Sequence, residues 1–275
     1  LAGRTALVTG AGAADGIGLA SARLLARMGA RVTITSTSER ITTRAQELAA
    51  EGLAVSHVIA DLTDRDSVAG VVAAASGPAG QLDIVVNNAG MIQTGVTITG
   101  GMFVDQPHEH WLRQLDITLM TAVHVTRASI PLMRSKGHGR IIMMSSVTGP
   151  MVSAPGSSAY ATSKGAMDGL MRTVALEEGP HGITCNSVAP GWIHTGSSDV
   201  DEVEAPVGRH PHLQALARQL VDDAFEQLVA LDRPGQAHAG DPPEALRQAG
   251  RHPVGVGGVG EPVVVGEVGL ELGGE

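Results

Sequence analysis

Tyr160 is the only tyrosine of the 275-residue chain, and Lys164, four positions on, is one of only two lysines. Tyr160-Ala161-Thr162-Ser163-Lys164 reads as one helical turn, which puts phenol and ammonium on one face. At roughly 5 Å and an effective dielectric of about 20, ammonium and phenolate attract by roughly 3 kcal/mol. That attraction lowers a tyrosine pKa by about two units from its free value of about 10. A phenol so tuned suits general acid/base work on an alcohol or a carbonyl. The plain alternative is a surface tyrosine beside a solvated lysine; the scarcity of lysine weighs against it.

The elements that must position this pair alternate along the first two-thirds of the chain. Ala6–Thr9, Arg31–Thr35, Val55–Ala60, Leu82–Val86, Arg140–Met144 and Ile183–Val188 read as strands. Helical runs lie near Ile17–Met28, Arg40–Glu51, about His108 to Ser135, and about Ser158 to Glu178. Such alternation predicts an α/β fold of three layers, a doubly wound parallel sheet of Rossmann-like type covered on both faces.

Composition narrows the class. Hydrophobic residues make up 43% and aromatics only 2%, so the core must be aliphatic. A net charge of −9 argues against a nucleic-acid surface. The single cysteine, Cys185, excludes an internal disulfide and fits a reducing compartment. No apolar run reaches the length of a membrane span, and the first residues lack a signal peptide's apolar core. The expectation is a soluble, cytoplasmic protein without nucleic-acid or membrane partners. No His/Cys/carboxylate cluster has metal-ligand spacing, and His108-Glu109-His110 reads as a helix start.

Thr9-Gly10-Ala11-Gly12-Ala13-Ala14-Asp15-Gly16-Ile17-Gly18 lies between the first strand and the first helix. Glycines there let the backbone approach a pyrophosphate resting on the helix N-terminus. Asp61 closes the third strand, where it can accept from an adenine amino group or cap a helix. Asn87-Asn88-Ala89-Gly90 follows the fourth strand, with small residues against which a cofactor can lie.

Taken in order, Thr9-Gly10…Gly16-Ile17-Gly18, Asn87-Asn88-Ala89-Gly90, Ser146, Tyr160-xxx-Lys164, Asn186 and Pro190-Gly191 resemble the short-chain dehydrogenase/reductase family. Within it, the chain looks most like the 3-oxoacyl-acyl-carrier-protein reductase type. The resemblance covers residues 1 to about 198 and implies a hydride exchanged between NAD(P)(H) and a carbonyl or secondary alcohol. It implies that Ser146 bonds the reacting oxygen, that Tyr160 is the general acid/base, and that Lys164 holds the nicotinamide ribose. It places Thr118 where relatives carry a water-anchoring asparagine. The implied cofactor contacts are Gly10, Gly12, Gly16, Ile17, Gly18, Ser36, Thr37, Arg40, Asp61, Leu62, Asn88, Ala89, Gly90, Tyr160, Lys164, Pro190, Gly191, Ile193 and Thr195. His194 reads as a loop histidine.

An acidic residue ending the second strand binds the ribose of NAD and repels the phosphate of NADP. Here that stretch is Thr35-Ser36-Thr37-Ser38-Glu39-Arg40, whose hydroxyls and Arg40 favour NADP. Asp15 and Glu39 speak for the alternative, NAD. The resemblance also implies a homodimer or homotetramer through the long helices near 108–135 and 158–178.

One domain over 1–275 is expected, with the matched core over 1–198 and a divergent segment over 199–275. Gln214–Leu231 has helical spacing of its leucines, and from Pro234 onward 16 of 42 residues are Gly or Pro, a share typical of low-complexity or disordered segments. Val263-Val264-Val265 favours a short strand. A diverged terminus, an altered construction of the chain and a shifted reading frame all explain this end. The leading function is a ketone or 3-oxoacyl reductase. The alternatives are a nucleotide-binding regulatory or scaffold protein without turnover and an unstable product of a shifted frame.

Overall fold

The computed structural model describes residues 1–90, 101–191 and 193, together with the backbone of 263–265. Seven parallel strands form one sheet: β1 (Thr5–Thr9), β2 (Arg31–Ser36), β3 (Val55–Ile59), β4 (Ile84–Asn87), β5 (Gly139–Met144), β6 (Ile183–Pro190) and β7 (Val263–Val265). Their order is β3-β2-β1-β4-β5-β6-β7. The chain therefore reverses its direction of winding between β1 and β4, the switch point at which open α/β sheets bind ligands.

Successive residues of a strand face opposite sides, and the core divides accordingly. Ala6, Val8, Ile84, Val86, Ile142 and Met144 pack on one face with α1 (Ile17–Arg27) and α2 (Arg40–Ala50). Leu7, Val85, Ile141 and Met143 pack on the other with α3 (Arg65–Ser76), α5 (Thr121–Lys136) and α6 (Ser158–Glu178). The central strands are buried on both sides, as parallel strands under helices must be.

Most expected elements form within two residues of their anticipated ends, and α6 spans the anticipated range. Two features differ from the sequence expectation. The run after Asp61 forms α3, a helix whose Ala- and Val-rich sequence gives little apolar contrast around its axis. Asp64, and not Asp61, caps it by accepting from the backbone N–H groups of Asp66 and Ser67. The long helix expected from His108 is interrupted: α4 (His108–Leu115) passes through a π turn at Asp116–Met120 before α5 begins. The triple valine forms β7, with Val188 beside Val263 and Pro190 beside Val265. The expected helix over Gln214–Leu231 lies outside the described residues.

Candidate functional site

The ends of β1, β2 and β4 build a glycine-lined cradle. Asn88 Nδ2 donates to the carbonyls of Thr9 and Gly10, each at 3.0 Å. The Thr9 hydroxyl accepts from the N–H groups of Asn88 and Ala89 and donates to the Val86 carbonyl. This lattice brings the first loop and the Asn88 turn into backbone contact. A methyl group on Gly10 would lie 2.8 Å from Ala89 Cα, one on Gly12 3.0 Å from Ser36 Oγ, and one on Gly18 2.5 Å from Asn88 Nδ2. Gly10 also has φ +70°, a conformation that disfavours any side chain. Gly16 starts α1 and brings no capping side chain of its own. A glycine-lined helix N-terminus fits a pyrophosphate.

The rim of this cradle is polar. Ser36 ends β2 and its hydroxyl donates to the Ser38 carbonyl at 3.1 Å. Arg40 is exposed, with Nε donating to the Ser38 hydroxyl at 3.2 Å. Thr37 is exposed between them, and Asp61 and Leu62 stand at the end of β3. Asp61 Oδ1 accepts from the N–H and hydroxyl of Thr63, and the buried Leu62 offers its carbonyl to His124 Nδ1 at 3.3 Å.

The second half of the site comes from β5, α6 and the end of β6. Tyr160 is half-buried, and Lys164 Nζ lies 5.7 Å from the centre of its ring. The helical turn expected from spacing thus brings the two groups together. Lys164 is only 3% exposed, and its ammonium donates to the Met144 carbonyl at 2.5 Å. Burial lowers its pKa from 10.5 to about 8, against the opposing pull of Asp168.

Ser146 leaves the end of β5 half-buried, its Oγ accepting from Thr148 N–H at 3.1 Å. Its neighbour Ser145 is buried and its N–H donates to the Val188 carbonyl, a structural bond between strands. Val147 N–H donates to the Pro190 carbonyl at 3.0 Å, which ties the Ser146 segment to the end of β6. Gly149, at φ +114°, lets the same segment press against α6, where a Cβ would meet backbone atoms of Ala161 and Gly165. Ser146, the first turn of α6 and Pro190 are thereby held in one assembly. Gly191 follows half-buried, and Ile193 packs against the α1-side core. Thr195 and His194 lie outside the described residues.

Thr118 is fully buried in the π turn. Its hydroxyl donates to the Gly90 carbonyl and accepts from Gln114 Nε2, both at 2.7 Å. Gln114 was not singled out by the sequence. Neither was Gln106, which bonds the carbonyls of Gly101 and Gly156 and accepts from Ser158 at the start of α6. Asp168 was also missed: it is 2% exposed, and its Oδ1 accepts from the Ser187 hydroxyl at 2.7 Å. The spacing 160, 164, 168 was the available signal for it. Among the described residues no group of His, Cys and carboxylates is arranged to hold a metal, and no helix is long and apolar enough to cross a membrane.

A family model described as short chain dehydrogenase matches residues 4–203. Oxidoreductase UcpA of Salmonella typhimurium is 42% identical over 195 residues, 71% of each chain. A D-beta-hydroxybutyrate dehydrogenase of Rhizobium meliloti is 38% identical over 201 residues, 70% of this chain and 72% of that one. Among solved structures, a short chain dehydrogenase from Mycobacterium smegmatis superposes with a TM-score of 0.72 at 28% identity, covering 97% of this chain and 93% of that one. A candidate NAD(P) dependent gluconate 5-dehydrogenase from Beutenbergia cavernae with bound NADP gives a TM-score of 0.69 at 31% identity, covering 82% and 89%.

Proposed function

The chain belongs to the short-chain dehydrogenase family of NAD(P)-dependent oxidoreductases, and from that premise we propose that it reduces a ketone or 3-oxoacyl compound, or runs the reverse oxidation, with Tyr160 as general acid/base. The observation that carries this reading is the Tyr160–Lys164 pair, a half-buried phenol beside a buried ammonium, in a chain that also holds a glycine-lined helix N-terminus.

Gly10, Gly12, Gly16, Ile17 and Gly18 would hold the pyrophosphate of the nicotinamide cofactor. Asp61 and Leu62 would border its adenine, and Asn88, Ala89 and Gly90 its sugar. Pro190, Gly191, Ile193 and Thr195 would contact the nicotinamide. When bound, this cofactor supplies or accepts the hydride. Tyr160 gives its phenolic proton to the substrate oxygen in the reductive direction and takes it back in the oxidative one. Ser146 orients that oxygen through a hydrogen bond. Lys164, pinned by the Met144 carbonyl, presents a fixed positive charge that favours phenolate over phenol. Thr118 spends its one hydroxyl proton on Gly90, so its part is to fix the turn that follows β4.

NADP is the favoured cofactor, with NAD the alternative. Ser36, Thr37 and Arg40 line the rim with hydroxyls and a guanidinium that suit a 2′-phosphate. The NADP-bound structural relative supports the same choice. The 3-hydroxy acid named for the Rhizobium relative supports a 3-oxo or 3-hydroxy substrate. Exposed Leu112 on α4 and Leu176 on α6 are apolar surface of the kind that self-association through these helices would cover.

The test is turnover of NADPH with a panel of ketones and 3-oxo esters by the parent and by Tyr160→Phe. Turnover in the parent and its loss in the variant support the reading. Equal rates remove it.

A further inference from the structure

One buried charge takes no part in the chemistry described above. Asp168 lies on α6 one turn beyond Lys164, in the series 160, 164, 168 that runs down a single helix face. The series passes from the half-buried Tyr160 into the core, where Lys164 is 3% and Asp168 2% exposed. Lys164 and Asp168 stand four residues apart on that face without forming an ion pair, so the carboxylate acts on the ammonium through space. Ser187 on β6 donates to Asp168 Oδ1 at 2.7 Å, which anchors the carboxyl to the sheet. Its other oxygen, Oδ2, is buried with no hydrogen-bond partner. A buried carboxyl with one oxygen unpartnered is costly unless a nearby opposite charge offsets it.

We propose that Asp168 is a positioning residue of the catalytic site: held by Ser187, its carboxylate is the counter-charge that keeps the buried Lys164 cationic, and it acts on Tyr160 only through Lys164.

Other ionisable groups near this column are accounted for. On α6 itself, Arg172 is exposed one turn below Asp168. On β6, the buried Cys185 thiol is driven further from ionising by its surroundings. Arg140 sits at the opposite end of β5, against the carbonyls of Gly139 and Gly182. The groups on α4 and the π turn are His108, Glu109, His110, Arg113 and Asp116, all at least partly exposed. Of all these, Asp168 is the one whose charge offsets the burial of Lys164.

The two-lysine composition makes the proposal directly readable. Selective 13C labelling of lysine gives two side-chain signals, the buried Lys164 and the exposed Lys136 as internal reference. In the cofactor-free parent, Lys164 is expected to titrate near pH 8. Asp168→Asn moves that midpoint down by about one pH unit or more, because a neighbouring unit charge is lost. Lys136 stays in place. Ser187→Ala moves the Lys164 midpoint the same way by less, since the carboxylate remains but loses its anchor. In turnover, the alkaline limb of the kcat profile of Asp168→Asn shifts to lower pH by the same amount. A purely structural bond between α6 and β6 would lower activity at every pH and leave that limb where it was.

A Lys164 midpoint in Asp168→Asn equal to that of the parent overturns the proposal. If that variant does not fold, an unmoved midpoint in Ser187→Ala overturns it equally. The proposal rests on reading Lys164 as the cation of the site, yet its failure is separable. A parent with no Tyr160-dependent turnover would end the functional reading, while the lysine titration would still show whether Asp168 governs that charge.

Discussion

The side-chain amide of Asn88 occupies the space that a methyl group on Gly18 would need, 2.5 Å from where its carbon would sit. Helix α1 and the turn after β4 therefore touch through a missing side chain. Gly18→Ala forces the amide from its two carbonyl partners, Thr9 and Gly10. A loss of about 1–3 kcal/mol of stability is expected, as for overpacking, together with at least tenfold weaker NADPH binding. Thermal melting and fluorescence titration measure the two effects. Unchanged cofactor affinity would show that the Asn88 lattice does not shape the cradle.

Thr118→Val tests the strap from α4 to the Gly90 turn. The substitution keeps the shape and removes the hydroxyl, leaving the Gly90 carbonyl and the Gln114 amide without their bonds. A loss of about 2–6 kcal/mol is expected, about 1–3 for each of two buried groups left unsatisfied. Denaturant titration reads it, and kcat should fall only to the extent that the turn moves.

Lys164 makes stability depend on alkaline pH. Its folded pKa is lowered to about 8 from the ordinary 10.5, chiefly by burial. At pH below about 8 both folded and unfolded chains hold the proton, and the folded state bears the full cost of a buried charge. Between about pH 8 and 10.5 the unfolded chain still binds a proton that the folded chain has released. This group's contribution to stability therefore rises with pH across that window, by about 3 kcal/mol in total. Urea unfolding of the cofactor-free parent and of Lys164→Met at several pH values isolates the term. The parent should gain on the variant as pH rises; parallel curves would refute the assignment.

Cys185 is 1% exposed, and burial pushes its thiol well above the ordinary range. The native protein should not react with a disulfide reagent on the timescale of minutes, whereas the denatured chain should react at once. Because it is the chain's single cysteine, the slow native rate reports opening of the β5–β6 region. Rapid native labelling would contradict the burial.

Arg40→Glu is expected to raise the KM for NADPH about tenfold or more, the loss of a charge-assisted contact to the 2′-phosphate. The KM for NADH should fall or stay unchanged. An equal effect on both would move the phosphate contact away from this rim.

The alternating pattern of the sequence disclosed six of the strands and the winding of the sheet, because buried parallel strands are short aliphatic runs between glycine turns. Tyr160 and Lys164 were legible because both residue types are scarce and one turn apart. Asp168, Ser187 and Gln114 were hidden for a different reason. Each is an ordinary polar residue in sequence, and only burial against a partner on another element gives it a role. The π turn was equally invisible: the apolar spacing through Leu115-Asp116-Ile117-Thr118-Leu119 suits a plain helix, and the bond from Thr118 to Gly90 inside the widened turn is a contact between distant segments. The α3 helix was lost because small apolar residues surround its axis on all sides.

The placement of Ala6 between Val32 on one side and the sequence-distant Ile84 on the other has a kinetic meaning. Every ladder in the sheet is parallel, so none can close as a local hairpin, and each waits for a crossover to be threaded. Helices can be regained early on dilution from denaturant, but the two halves of the proposed site meet only once the middle of the sheet has zipped. Recovered turnover should trail recovered ellipticity, and a ribosome-bound chain lacking β6 would still be catalytically silent.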